Sequence, residues 1–149
     1  LCDFYNVNGW LSMLQAENAA PYLIAKPLGD YKKLNGLLAA LQGYGYAVEV
    51  VSWLAKGETS KQFDSAVRKN KRAWLRKYYP AINLKNVHVV KHGTNKWRVS
   101  NYKGGILFDD ESGNVNAWKR DTMSGKAVRI KDDTTLLDAL ESLIIQELE

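Results

Sequence analysis

The sequence predicts an α/β domain built on a doubly wound parallel sheet. Short apolar segments rich in β-branched residues alternate along the chain with amphipathic helical segments, and polar side chains directly follow several of the apolar segments. This alternation is typical of a parallel sheet that helices cover on both faces. The 149 residues are enough for one such domain with a hydrophobic core of its own.

One helix and one strand are predicted in the first part of the pattern. In "LNGLLAALQGYGY" the side chains of Leu34, Leu37, Leu38 and Leu41 share one helical face, and the glycines that follow suit a left-handed cap. The next segment, "AVEVVSW", is rich in β-branched residues and is bounded by turn residues. It predicts a buried strand over residues 47–53.

A long amphipathic helix with a basic face is predicted next, and Pro80 ends it. Its two faces follow the helical period. The apolar face holds Phe63, Ala66, Val67, Ala73, Trp74 and Tyr78, and the basic face holds Lys61, Arg68, Lys69, Lys71, Arg72 and Arg76. We expect the basic face to lie in solvent and the apolar face in the core.

Three further strands and a helix complete the pattern. "NVHVVKHG" predicts a strand that ends near Lys91, "GGILFDD" predicts another, and "KAVRI" predicts a short last strand. "DDTTLLDALESLIIQEL" opens with capping residues and continues with apolar residues along one side. The final predicted element is therefore a helix.

Composition and charge bound the class of protein. Cys2 is the single cysteine, which excludes an internal disulfide and a cysteine-rich zinc site and favours a reducing, cytoplasmic compartment. No apolar run reaches the roughly 18 residues that span a bilayer, and no charged-then-apolar leader opens the sequence, so no membrane partner is expected. The net charge of +5 keeps nucleic acid open as a partner.

Polar side chains follow three of the predicted strands. Ser52 follows the first strand, residues 91–96 with a lysine at each end follow the second, and Asp109 and Asp110 follow the third. Because the carboxyl ends of parallel strands meet at one edge, these groups are expected to converge. A hydroxyl, an ammonium and a carboxylate pair suit a phosphate and a divalent cation. The alternative for the aspartates is an ordinary polar turn.

With these motifs the chain resembles the haloacid dehalogenase-like (HAD) phosphohydrolases, and among them the small deoxyribonucleotidase-like proteins often encoded by phages. The resemblance runs over nearly the whole chain and includes "VNGWL", "AKPL" and "VSWLAK". It implies one Rossmann-like domain over residues 1–149 with a minimal cap insert over residues 4–30. In that insert we expect a helix in "GWLSMLQAEN" and an extended segment in "PYLIAKPL".

The resemblance also implies roles for the polar residues. "VEVVS" makes Ser52 the hydroxyl that hydrogen-bonds the transferring phosphoryl group, and "GILFDD" makes Asp109 and Asp110 the ligands of Mg²⁺. "HGTNK" makes Lys96 the ammonium that neutralises the nucleophile and the phosphate, with Lys91 as the second choice. These residues form the predicted catalytic and metal site.

Three aromatic residues, Trp10, Tyr22 and Trp53, flank the expected site. Each could stack on a nucleobase, and core packing is the alternative role for each. A small phosphorylated substrate such as a nucleoside monophosphate is therefore expected, while a sugar phosphate or a phosphorylated polymer end stays open.

The first motif of the family is absent from the sequence. That motif is a strand ending in Asp-x-Asp-Gly-Thr, and its first aspartate is the nucleophile. Placing Asp3 there would leave only Leu1 and Cys2 to form the strand, which is too short. In the family this strand lies between the strands that carry Ser52 and Asp109. We therefore expect that the sequence lacks an N-terminal strand, or that a partner chain supplies one.

Two functions follow from these observations. The first is a magnesium-dependent phosphomonoester hydrolase that acts through an aspartyl-phosphate on an aspartate upstream of Leu1. The second is a catalytically inactive HAD-like protein that binds within a larger phage or nucleic-acid assembly. The basic surface and the absent first motif favour the second function, and the complete set of Ser52, Lys96 and the aspartate pair favours the first.

Overall fold

The computed structural model describes residues 1–122 and 125–149. The helices are α1 Trp10–Gln15, α2 Pro21–Ile24, α3 Tyr31–Gly43, α4 Lys61–Tyr78, α5 Lys96–Val99, α6 Ser112–Asp121 and α7 Asp133–Leu148. The strands are β1 Val50–Trp53, β2 Val87–Val90, β3 Leu107–Asp109 and β4 Ala127–Arg129. Helices and short strands alternate along most of the chain, which confirms the predicted α/β class.

The strands form two parallel pairs. β1 pairs with β2, with Ser52 opposite Val89, and β3 pairs with β4, with Phe108 opposite Val128. Within the described ranges no ladder joins β1 to β3, so the strands lie in two small sheets. The parallel pairing agrees with the prediction, whereas a single doubly wound sheet is not present in this part of the chain.

Within the described ranges β1 and β3 each have one edge without a partner strand. The N–H of Leu54 donates to the carbonyl of Val90 at 2.7 Å. Because the backbone N–H and C=O groups of successive strand residues point to opposite edges, those of Val51 and Trp53 point away from β2. In β3, the N–H of Leu107 donates to the carbonyl of Lys126, just before β4, and the carbonyl of Asp109 accepts from the N–H of Ile130, just after β4. The backbone of Phe108 therefore faces away from β4. Within the described ranges β1 and β3 therefore have no partner strand on these edges, and on the edge of β1 the carbonyl of Trp53 accepts from Lys71 of α4.

The outer edge of β2, in contrast, is closed by arginines of α4. Arg72 donates to the carbonyls of Leu84 and Val87 at 3.0 and 2.9 Å, and Arg68 Nε donates to the carbonyl of Val89 at 3.2 Å. The prediction that the whole basic face of α4 lies in solvent is therefore wrong at Arg72, which is half-buried, whereas Arg68 remains exposed while it bonds to β2. Long side chains on the border of the helix reach back to backbone oxygens that lack a neighbouring strand.

Replacing Arg72 with alanine is expected to lower the free energy of unfolding by about 1–3 kcal/mol, because two backbone carbonyls lose a charged donor. Arg76→Ala is the matched control. Arg76 is exposed on the same helix and makes no side-chain contact with the described residues, so it should change stability by less than about 0.5 kcal/mol. Urea denaturation measures both variants, and equal values for the two would contradict the closed edge.

Capping side chains mark the starts of the long helices. Ser60 Oγ accepts from the N–H of Phe63 at the start of α4, and Asp132 Oδ1 accepts from the N–H of Thr135 at the start of α7. The predicted extended segment "PYLIAKPL" is wrong at α2, because Pro21 stands at the first helical position, where its fixed φ favours a helix. The short helices α5 and α6 were not predicted.

The insert packs firmly against α4. Trp74 Nε1 donates to the carbonyl of Ala25 at 2.8 Å, and Asn70 Nδ2 donates to the carbonyl of Ala19 at 2.9 Å. Pro21, Ala19 and Ala25 are all buried. This contact holds the insert beside the carboxyl end of β1. Among the helices described, none is both long and apolar enough to cross a bilayer.

Candidate functional site

A buried ion pair links the end of β3 to the start of α5. Lys96 Nζ lies 2.7 Å from Asp109 Oδ2, and the two side chains are 15% and 5% exposed. Asn95 sets the position of Lys96, because its Oδ1 caps α5 by accepting from the N–H of Trp97 at 3.0 Å. The lysine chosen from "HGTNK" thus lies against the first aspartate of "GILFDD".

The carboxylate of Asp109 is largely occupied by hydrogen bonds. Besides Lys96, it accepts from Asn114 Nδ2 at 3.2 Å and from the N–H of Glu111 at 2.9 Å. A carboxylate offers about four lone-pair positions, so little capacity remains on Asp109. Asp110 is exposed.

A metal ion at this site would depend on the carboxylates of Asp109 and Asp110. Within the residues that the structure describes, no group of three or more histidine, cysteine and acidic side chains could hold a metal ion. Mg²⁺ often takes only one or two protein carboxylates and completes its shell with phosphate oxygens and water. At the end of β3, Asp109 already holds the Lys96 ammonium, and Asp110 offers an exposed carboxylate beside it.

A second lysine lies at the end of β1. Lys71 of α4 donates from Nζ to Ser52 Oγ at 2.8 Å and to the carbonyl of Trp53 at 2.6 Å. That carbonyl is on the edge of β1 that faces away from β2. Lys71 Nζ also lies 5.0 Å from the ring centroid of Tyr22. Ser52 is thus held by a cation that was predicted to lie in solvent.

Trp53 connects the two lysines. Lys96 Nζ lies 5.3 Å from the centroid of the Trp53 ring, while Lys71 bonds to the carbonyl of the same residue. The indole Nε1 donates to the carbonyl of Thr94 at 3.0 Å, which fixes the ring. Ser52, Lys71, Trp53, Lys96 and Asp109 therefore form one connected network.

Burial lowers the pKa of the Lys71 ammonium from 10.5 to about 8. Nearby Cys2 acts in the opposite direction and raises this pKa, and the positive charge of Lys96 lowers it further. A lysine in such surroundings carries its charge at neutral pH at a cost in stability. Polar or anionic partners offset that cost.

The lowered pKa predicts how stability depends on pH. Between about pH 8 and 10.5 the unfolded chain keeps the proton on Lys71 while the folded chain releases it, so the free energy of unfolding should rise with pH in this window. Lys71→Met lacks this group. Denaturation of both proteins should show the parent gaining stability relative to the variant across the window. A constant difference would contradict the lowered pKa.

The three predicted aromatic residues line a single cleft. Trp10, Tyr22 and Trp53 lie along an open cleft of about 620 Å³ between the insert and the loop after β1. Phe4 packs on both Trp10 and Tyr22, with ring centroids 5.7 and 4.9 Å apart. On the other side, His92 packs on Trp53 at 4.7 Å. Aromatic and apolar side chains make up most of the lining, which also holds Glu17, Glu58 and Lys56. Lys71 and Lys96 lie against the rings of Tyr22 and Trp53, which belong to this lining.

Two of the residues predicted for the site, Lys91 and Asp110, have side chains that lie outside the network. Lys91, the second choice for the site lysine, is exposed and makes no side-chain contact with the described residues. Asp110 contributes only its carbonyl, which accepts from Arg129 Nε at 3.3 Å. The residue missed from the sequence is Lys71. Its position four residues after Val67 and three before Trp74, both buried, was a signal that it points inward.

No family model matches the chain, and neither a curated protein nor a solved structure matches it. The HAD-like assignment therefore rests on the residues and is taken up below as a proposal.

Proposed function

We propose that the protein is a magnesium-dependent phosphomonoester hydrolase of the HAD type. The observation that carries the proposal is the contact between Lys96 and Asp109 at the end of β3, which Trp53 and Lys71 connect to Ser52 in β1. These are the residues to which the resemblance gives phosphate and metal roles. Lysine, hydroxyl and carboxylate side chains at neighbouring strand ends are suited to a phosphoryl group.

The nucleophile of this proposal is an aspartate on a strand between β1 and β3. A segment upstream of Leu1, or a partner chain, supplies this strand and completes a doubly wound sheet with the order β2, β1, added strand, β3, β4. The edges of Val51 and Phe108, which lack a partner strand, support this position.

The reaction proceeds in two steps. The aspartate attacks phosphorus and displaces the alcohol, which takes up a proton, and water then hydrolyses the aspartyl-phosphate. Ser52 donates a hydrogen bond to a phosphoryl oxygen, and Lys96 offsets the negative charge that builds up in the transition state. Magnesium held by Asp109 and Asp110 would supply charge neutralisation between the anionic nucleophile and the phosphate.

The aromatic cleft takes the rest of the substrate. Its volume of about 620 Å³ is in the range of small-molecule pockets, and its Trp and Tyr rings can stack on a planar base. A nucleoside monophosphate would place its base between the rings and its phosphate toward Ser52 and Lys96. A nucleotide is therefore the substrate class we propose.

Phosphate release tests the proposal. The protein isolated from its natural source should release phosphate from a nucleoside monophosphate or an aryl phosphate in magnesium, and EDTA should abolish the activity. Lys96→Ala should lower turnover by orders of magnitude. Lys69→Ala is the matched control, because Lys69 is exposed and makes no side-chain contact with the described residues. Absence of phosphate release from every such ester would overturn the proposal.

The competing function, binding within a nucleic-acid assembly, gives a different pattern. The parent would release no phosphate, and its affinity for DNA or RNA would fall steeply with salt. Replacing the exposed Lys69 and Arg76 would then make the salt dependence shallower. Arg68 and Arg72 are unsuitable for this test, because they bond to backbone carbonyls near β2.

A further inference from the structure

Lys71 is a half-buried cation that pairs with no carboxylate of the described residues. The ion pairs among the described residues join other groups, and the ammonium of Lys71 donates only to Ser52 Oγ and the carbonyl of Trp53. Asp109, the nearby acidic residue of the network, already pairs with Lys96. The network of Lys71, Lys96 and Asp109 therefore carries two positive charges and one negative charge, next to a cleft whose lining also includes Glu17, Glu58 and Lys56.

The contact with Ser52 determines what the serine hydroxyl can do. A hydroxyl oxygen that accepts a hydrogen bond still has one proton to donate. Because Lys71 is a donor with no acceptor capacity, the Ser52 proton cannot be directed at it and must go to another group. The contact with Lys71 thereby leaves the Ser52 hydroxyl as a hydrogen-bond donor to a third group. Of the three N–H groups of the Lys71 ammonium, two donate to Ser52 and to the Trp53 carbonyl, and the third does not.

We infer that Lys71 is a positioning residue for a bound phosphoryl group, directing the Ser52 hydroxyl toward a phosphoryl oxygen and adding the charge that an anion balances. This inference rests on the proposed function, since it concerns the same site. The proposed phosphoryl-binding site then contains two lysines, where the sequence predicted one. Lys96 contacts Asp109 at the end of β3, and Lys71 contacts Ser52 in β1.

Phosphate binding should consequently depend on the charge of Lys71. The titratable groups that face Lys71 are Cys2 from the N-terminal segment, Tyr22 from α2 and Lys96 from α5. With a pKa of about 8, the ammonium loses its proton as the pH rises through that value, and phosphate affinity should fall with it. Bound phosphate should in turn raise the pKa of Lys71, because it favours the charged form.

Calorimetric titration with inorganic phosphate tests the inference. At about pH 7, Lys71→Met should bind phosphate about tenfold more weakly than the parent, or worse, as expected for the loss of a charged hydrogen-bonded group. Lys69 lies two residues before Lys71 on the same helix and is exposed. Lys69→Met should therefore bind phosphate within about twofold of the parent. The affinity of the parent should fall on going to about pH 9.5 more than that of Lys71→Met.

A double-mutant cycle distinguishes an effect of Lys71 that acts through Ser52 from an effect of its charge alone. If Lys71 acts through Ser52, then Lys71→Met combined with Ser52→Ala should weaken phosphate binding by less than the sum of the single effects. Circular dichroism shows that each variant is folded, and Lys71→Arg keeps the charge if Lys71→Met fails to fold. Phosphate affinity equal in the parent, Lys71→Met and Lys71→Arg, or no phosphate binding by the parent, would overturn the inference. Lysine-dependent binding without ester hydrolysis would overturn only the proposed function.

Discussion

Replacing Lys96 with methionine is expected to lower the free energy of unfolding by about 3–5 kcal/mol, because it leaves the carboxylate of Asp109 buried without its cation. Asp109 is 5% exposed at its side chain, so water cannot readily replace the ammonium. Methionine keeps the length of the side chain, which isolates the loss of charge. Urea denaturation followed by circular dichroism measures the difference.

The matched control for this change is Lys91→Met. Lys91 lies in the same loop region, is exposed and makes no side-chain contact with the described residues, so its replacement should change stability by less than about 0.5 kcal/mol. Adding Asp109→Asn to Lys96→Met should restore part of the loss, because the buried charge is then gone. If Lys96→Met is as stable as Lys91→Met, the buried pair does not exist as described.

Amide hydrogen exchange in β1 should divide neighbouring residues into two groups. The amide of Leu54, which bonds to Val90, should exchange at least about a hundredfold more slowly than the amide of Trp53, which faces the open edge. Val51 and Phe108 should behave like Trp53, because they face away from their partner strands as well. Exchange followed by NMR resolves each of these amides in the 149-residue chain.

The same amides report on the proposed added strand. If the protein from its natural source contains that strand, or a partner supplies it, protection at Val51, Trp53 and Phe108 should rise toward that of Leu54. Leu54 serves as the internal control, because its partner Val90 is already present. Equal and strong protection of Trp53 and Leu54 in the 149-residue chain would show that the edge of β1 is not free.

The strand ends and the long helices could be predicted from the sequence. β-branched runs stop at Ser52 and at Asp109, and apolar spacing with capping residues marks α4 and α7. The predicted strands were too long, because apolar segments continue beyond the residues that form ladder hydrogen bonds. Whether β1 and β3 share a sheet is a long-range property that the local pattern of either segment does not contain.

The site could be predicted at the carboxyl ends of the strands and in the segment after β2, but not where a side chain comes from the middle of the long helix α4. Ser52 lies in β1, Asp109 ends β3 and Lys96 begins α5 in the segment after β2, so the rule that ligands bind at the carboxyl ends of parallel strands selected all three. Lys71 was grouped with the basic face because its neighbours in sequence are basic. Helix α6 was missed because "SGNVNAWKRD" carries glycine and asparagines, which have low helix propensity, and only Val115 and Trp118 are buried.

The measurement that tests the central claim most directly is mass spectrometry of the protein from its natural source, quenched in acid during turnover of a nucleoside monophosphate with magnesium. The account predicts a phosphoryl group on an aspartate that lies outside residues 1–149, on the strand proposed between β1 and β3. It also predicts that the 149-residue chain alone takes up no phosphoryl group. Phosphate release with the phosphoryl group on a residue of this chain, such as Ser52 or Asp109, would contradict the account.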